Sequence, residues 1–213
     1  MAFELDHVFI LTDPGASQAD RLLDLGLPEG SPNHHPGQGT ANRRFFFSNA
    51  MLEFLYIRDL DEAKDGPASG LNLAQRLAEP GASPFGLVVR DNSASSTIPF
   101  PGWPYFPGYL QSGVYIHVGE NSEALDEPLC CFLPEYAKST LTQPVALEPF
   151  SIVTSVRIGI PAAELSSTLN ALNEMEQISI RSDSQHSMEI IFGHGVNERK
   201  TDFRPELPLI IYW

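Results

Sequence analysis

Cysteine is scarce in this chain of 213 residues: there are two, Cys130 and Cys131, side by side. Neighbours on a strand point to opposite faces, so a disulfide between them is not expected. Two reduced cysteines in an apolar run suit a cytoplasmic protein. Cations are few as well, with 13 Lys and Arg against 27 Asp and Glu and a formal charge of −14. Phosphate backbones and anionic membranes are held by clustered Lys and Arg, so neither nucleic acid nor membrane is an expected partner. No apolar run approaches the ~20 residues that span a bilayer. Glu4 and Asp6 interrupt the N-terminal apolar run that a signal peptide would need.

What the chain does have is a hydrophobic content of 42% with 10% aromatics, enough for a sheet-rich core. Its 18 prolines and 16 glycines imply many turns, but no stretch is repetitive enough for a disordered or collagen-like reading. Residues 3–12, FELDHVFILT, alternate as a strand that places Phe3, Leu5, His7, Phe9 and Leu11 on one face. Asp13-Pro14 predicts a helix start, and Ala16, Ala19, Leu22 and Leu23 continue an amphipathic stripe that stops at Gly26. Residues 28–41 are loop-like, with room for one short strand before residue 35. Arg43 to Ser48, the turn Asn49-Ala50 and Met51 to Arg58 then predict an antiparallel pair.

The stretch His35 to Phe47, HPGQGTANRRFFF, is a polar loop that runs straight into a core strand. The following strand carries Glu53 within MLEFLYI, on a face shared with Met51, Leu55 and Ile57. A histidine and a carboxylate inside two apolar strands are the best chemical clue, and His7 and Glu53 are expected to face each other across one concave sheet. A buried carboxylate needs a partner, so Glu53 could instead form a purely structural pair with Arg43 or Arg44, and His7 could be a core histidine bonded to a carbonyl. His34 and His35 read as loop residues; His186 and His194 read as solvated turn residues.

Further on come a short helix at Leu71 to Ala78 and strands at Phe85 to Arg90, Gly113 to Gly119 and Leu129 to Leu133. The proline- and aromatic-rich segment 98–110, IPFPGWPYFPGYL, cannot be a central strand but can lie as a lid over an apolar surface. Residues 134–149 read as a linker. A second strand-helix-strands pattern follows: Ser151 to Ile160, a helix started by Pro161, then Ile178 to Arg181, Met188 to Phe192 and Leu207 to Trp213. The organisation expected is a first module over 1–60, a central segment over 61–149 and a second module over 150–213.

LDHVFIL at the start, HPGQGTANRRFFF followed by LEFLYI, and the repeated strand-helix-strands pattern resemble the vicinal oxygen chelate superfamily, in its glyoxalase-like branch. The resemblance implies an α+β fold of paired βαβββ modules whose curved mixed sheets enclose a cup-shaped cavity, here with an inserted central segment. It implies a divalent metal, of the kind that His and Glu suit (Zn, Fe, Mn, Ni or Co). His7 matches the family's first ligand position and Glu53 its second. In that family the next module would begin at the strand 84–90, where Phe85 or Gly86 stands at the ligand position, and the late strand 129–133 offers only Cys130 and Cys131; His117 could substitute.

The metal set is therefore His7, Glu53 and His117. Glu53, Arg43 and Arg44 are the catalytic candidates; the two arginines point to opposite faces of one strand, and one of them could hold a substrate carboxylate bidentately. Gln38, Asn42, Trp103 and Tyr105 are the candidate substrate-binding residues. The activities implied are a metal-dependent lyase, isomerase or dioxygenase on a small oxygen-rich molecule. The alternatives are a metal-free protein that sequesters a small aromatic or apolar ligand under Trp103, Tyr105, Phe106 and Tyr109, and an interaction scaffold with a filled cavity. Members of the family often pair, so a homodimer is a further expectation.

Overall fold

The computed structural model describes residues 3–91, 97–134, 143–193 and 199–213. His194 and much of the expected linker lie outside the described residues. The architecture is mixed α+β, two curled sheets with few helices.

Eight strands form the first sheet: β1 (Phe3–Thr12), β2 (Asn33–His35), β3 (Thr40–Phe46), β4 (Met51–Ile57), β5 (Phe85–Asp91), β6 (Gly102–Tyr105), β7 (Ile116–Gly119) and β8 (Leu129–Leu133). Their order is β2-β3-β4-β1-β5-β8-β7-β6. Each half repeats one plan, in which the first strand lies parallel beside the fourth: β1 with β4, and β5 with β8. The halves join antiparallel through β1 and β5.

The sheet's second half is thus residues 85–133, the stretch that lacks a strand-helix signature. No helix pattern separates β5 from β6; the Pro- and aromatic-rich segment stands there instead. Part of that segment, Gly102–Tyr105, is an edge strand, where Pro104 costs no ladder bond that a central strand would need.

The C-terminal βα pattern forms a separate five-stranded sheet from β9 (Val153–Ile160), β10 (Ile178–Ser182), β11 (Ser187–Phe192), β12 (Lys200–Asp202) and β13 (Leu209–Tyr212), in the order β10-β9-β11-β13-β12. Apolar side chains of both sheets make one core: Phe45, Phe54, Phe85 and Phe132 from the first, Val156, Ile158, Ile190 and Ile211 from the second. A second cluster covers the other face of the large sheet. There Phe9, Leu55, Val88, Val118 and Cys131 meet Ala63 of α2 (Leu60–Asp65) and Leu73 of α3 (Leu73–Ala78), and this is the face that holds the cavity. Both cysteines are free and buried.

Two helix starts differ from expectation for one reason: the side chain or φ angle that ends extended structure lies further along. Gly15 and Ala16 adopt positive φ after Asp13-Pro14, so the first helical turn begins at Ser17 and α1 covers only Asp20–Asp24. After Pro161 the chain stays irregular until Ser166, whose side chain accepts from Leu169 N and caps the helix Ser167–Asn173.

A bulge in β1 also changes the expected faces. Leu5 pairs with Val89 and His7 with Val88, so Asp6 is an extra residue with no opposite number on β5. Leu5 consequently joins Val8 and Ile10 in the core between the sheets, while Phe9 and Leu11 belong to the cavity-side cluster.

A candidate ligand cavity

The cavity has a volume of about 240 Å³ and lies between the two halves of the large sheet. Its polar wall is built by β1, β3 and β4, which present His7, Asn42, Arg44 and Glu53. The facing wall, from β5, β7 and β8, presents Val88, Ile116, Leu129 and Leu133, with the Cys131 thiol among them. His35, Gln38, Tyr105 and Tyr109 also line it.

Glu53 is only 5% exposed. One carboxylate oxygen, Oε1, accepts from Nδ2 of Asn42, a fully buried residue whose Oδ1 in turn accepts from Asn33 N at 2.7 Å. The other oxygen, Oε2, lies 3.7 Å from His7 Nε2, beyond a direct hydrogen bond. The opposite imidazole nitrogen is committed: His7 Nδ1 meets Asp6 Oδ1 at 2.6 Å. Arg90 fixes Asp6 from behind, donating to its Oδ2 at 3.0 Å and to Glu4 at 2.6 Å. Burial alone would lower the pKa of His7, but the Asp6 hydrogen bond and the charges of Asp6 and Glu53 outweigh it and hold the imidazole above its ordinary value. For Asp6 burial works in the opposite sense, and the His7 and Arg90 contacts prevail, keeping its carboxyl below the ordinary range.

Arg44 stands directly across the ladder from Glu53 but forms no ion pair with it within 4 Å. Its Nε and Nη2 donate to Ser31 O at 2.8 and 2.6 Å, and its guanidinium lies 5.2 Å from the centroid of the Phe46 ring. Those contacts use one edge of the fork, while the residue lines the cavity. Arg43 takes the opposite face. There it grips Glu29 through two 2.7 Å bonds and Asp20 through a third, so it is a structural cation and not part of the cavity.

Gln38 belongs to a closed polar chain at the rim. Tyr109 donates to Gln38 Oε1 at 2.9 Å, Gln38 Nε2 to Thr40 Oγ1 at 2.8 Å, and His35 Nδ1 meets the same hydroxyl at 2.9 Å. Tyr105 differs: its hydroxyl is buried with no hydrogen-bond partner among the described residues, and burial pushes its pKa up to about 12. Tyr105→Phe deletes this unpaired hydroxyl while keeping the ring. Urea unfolding is therefore expected to show a stability unchanged or raised by up to about 1 kcal/mol. A loss of 1 kcal/mol or more would mean that the hydroxyl has a partner.

The remaining expected site residues lie elsewhere. His117 pairs in register with Phe132, shares the core side of the sheet with it, and bonds Phe100 O at 2.9 Å. Trp103 packs against Gly70 and reaches Ser122 Oγ at 3.3 Å without lining the cavity. The structure adds Asp6 and His35, which strand alternation places outward or in a loop. The short strand β2 puts His35 in the lining, and the bulge sets Asp6 behind it as the partner of His7 Nδ1.

The donor set does not fit a divalent metal. His7 Nε2 and Glu53 Oε2 are spaced as two ligands could be, but a site needs at least a third protein donor. His117 is on the wrong face, and Cys131 stands on the facing, apolar wall. At Gly86 the ring of Phe9 occupies the place a ligating side chain would need. Among the described residues no three His, Cys, Asp or Glu side chains converge for a metal ion, so the expected set of His7, Glu53 and His117 is not assembled.

No protein-family model matches this chain, and no curated protein does. Solved structures do. A hypothetical protein from Staphylococcus aureus aligns over 98% of this chain and 98% of its own, at 11% identity and a TM-score of 0.56. A methylmalonyl-CoA epimerase from Mycobacterium tuberculosis aligns over 63% of this chain and 89% of its own, at 14% identity and a TM-score of 0.44. One from Streptomyces coelicolor aligns over 64% and 100%, at 11% and 0.43. The epimerases are vicinal oxygen chelate enzymes, but likenesses this weak carry no argument about chemistry. The staphylococcal structure shares the fold over the whole chain, and that is as far as the similarity reaches.

Proposed function

We propose that this protein binds a small organic anion with an apolar body in the cavity between the two halves of the large sheet. One observation carries the reading: the cavity has all its charged groups on one wall and an aliphatic wall opposite. Such segregation is what a small amphipathic ligand needs, with a few convergent polar groups for orientation and apolar surface for affinity. At about 240 Å³ the space is below the range of drug-sized pockets, which favours a compact ligand.

Arg44 argues for an anion. Arg44 lines the cavity, is bound to the neutral Ser31 carbonyl and has no carboxylate of the described residues within 4 Å, whereas Arg90 is shared by Asp6 and Glu4. The edge of the Arg44 fork that Ser31 does not use can hold a ligand carboxylate bidentately.

Thermal unfolding in the presence of small aromatic carboxylates tests the reading. A ligand at a hundred times its Kd stabilises by about 2.7 kcal/mol, a readily visible rise in Tm. Phenylacetate is expected to raise Tm, benzyl alcohol to do so less, and the cavity-filling Val88→Trp variant to lose the effect. Stabilisation that survives Val88→Trp would place binding elsewhere and defeat the proposal, as would no response to any aromatic acid.

A further inference from the structure

The gap between His7 and Glu53 has a chemistry of its own, and the inference rests on the anion-binding reading above. His7 Nε2 and Glu53 Oε2 are 3.7 Å apart, too far to bond each other and close enough for one oxygen to reach both at ordinary hydrogen-bond lengths. Neither group can turn away. Asn42 holds the other oxygen of Glu53, and the Arg90–Asp6 pair holds the other nitrogen of His7.

The direction of each bond is set by the same contacts. Asp6 is an acceptor, so Nδ1 carries a proton. A carboxylate oxygen stands at each ring nitrogen, Asp6 Oδ1 at 2.6 Å from Nδ1 and Glu53 Oε2 at 3.7 Å from Nε2, and this flanking favours a second proton on Nε2, which makes His7 a donor into the gap. Glu53 is an acceptor. The group that fits between a donor and an acceptor is one that accepts from the first and donates to the second, which is a hydroxyl. An ammonium has nothing to offer the imidazolium, and a bare methylene leaves both groups unpaired in a buried site.

We infer that the His7–Glu53 gap is a hydroxyl-binding subsite and that the ligand class is a small hydroxy acid, with its carboxylate on Arg44 and its apolar body against Val88, Leu129 and Leu133. Asp6 is a positioning residue: it touches no ligand, and it fixes which imidazole nitrogen faces the cavity. The bulge in β1 exists at the one point where that contact is made.

Isothermal titration calorimetry of the full chain at neutral pH tests this with three probes on one scaffold: mandelate (each enantiomer separately), phenylacetate, which lacks the hydroxyl, and phenylglycine, which replaces it with an amine. The better mandelate enantiomer is expected to bind about tenfold or more tighter than phenylacetate, the worth of hydrogen bonds to charged groups. Phenylglycine is expected to bind no better than phenylacetate. In Glu53→Gln the mandelate preference is expected to collapse towards one while phenylacetate still binds. In Asp6→Asn the preference is expected to shrink, and the NMR titration midpoint of His7 to move down, which a merely structural role for Asp6 would not require.

Equal affinity for mandelate and phenylacetate, a preference for phenylglycine, or a preference that persists in Glu53→Gln each overturns the hydroxyl subsite. If phenylacetate binds in a Val88→Trp-sensitive way and mandelate binds no better, the subsite fails alone and the anion cavity stands. If neither acid binds, both fall.

Discussion

Arg76→Ala is expected to cost the fold about 2–4 kcal/mol, because it leaves buried backbone acceptors without their donor and opens a cavity. Arg76 sits on α3, is 4% exposed, and donates to four backbone carbonyls: Glu127 O at 2.5 Å, Leu125 O at 3.1 Å, Ser122 O at 3.2 Å and Ala124 O at 3.3 Å. These carbonyls belong to the turn that delivers the chain into β8. Deletion leaves them without their donor where water is largely excluded, and adds a cavity the size of the side chain.

The effect extends to the ligand site, because Arg76 ties together two parts of its wall. Leu73, one turn earlier on α3, and Leu129, two residues beyond the clamped segment, both line the cavity. Arg76→Lys keeps a charge but not the planar fork, so it is expected to recover only part of the loss. Urea unfolding followed by tryptophan fluorescence measures it. A loss below about 1 kcal/mol for Arg76→Ala would show that water or a rearranged turn replaces the clamp.

Arg76 also marks a boundary of what the sequence reveals. An arginine on a short helix reads as a solvated cation, and nothing local says that a turn some fifty residues later will close over it. Local patterns were legible wherever the signal and the structure span the same residues. The hairpin of β3 and β4 follows from alternation around Asn49-Ala50, and that alternation also separates Arg43 from Arg44; the register of the pair then sets Arg44 opposite Glu53.

Other features depend on breaks in the pattern. Alternation over residues 3–12 places Leu5 with His7, and a single extra residue at Asp6 separates them and supplies the imidazole with its partner. The second half of the large sheet hides for a related reason. Its strands β6 and β7 have four residues each, one of them contains proline, and no amphipathic helix announces the unit. The C-terminal strand-helix-strands pattern is the more visible repeat, yet it builds its own sheet.

Gly86 is where these threads meet, and its replacement by alanine is expected to destabilise the protein by about 1–3 kcal/mol through overpacking. Gly86 pairs across the ladder with Phe9, and the phenylalanine ring lies over it. A Cβ at residue 86 would come within 1.9 Å of Phe9 Cε1, 2.1 Å of Cζ and 2.4 Å of Cδ1. Phe9 is 5% exposed and its ring forms part of the cavity lining, so a displaced ring has the cavity as its available space.

Gly86→Ala is therefore expected to lower phenylacetate affinity together with stability, although residue 86 is not itself part of the lining. The cause can be isolated. Phe9→Leu alone leaves a void and costs stability, but Leu at position 9 makes room for Ala at 86, so the double variant should be more stable than the sum of the two losses by about 1 kcal/mol or more. Additive losses would mean that the ring does not dictate glycine at this position. Coupled losses would explain in steric terms why the second half of the sheet offers no ligating side chain here: the first half already fills the place with an aromatic ring, and the cavity is left with one charged wall and one apolar wall.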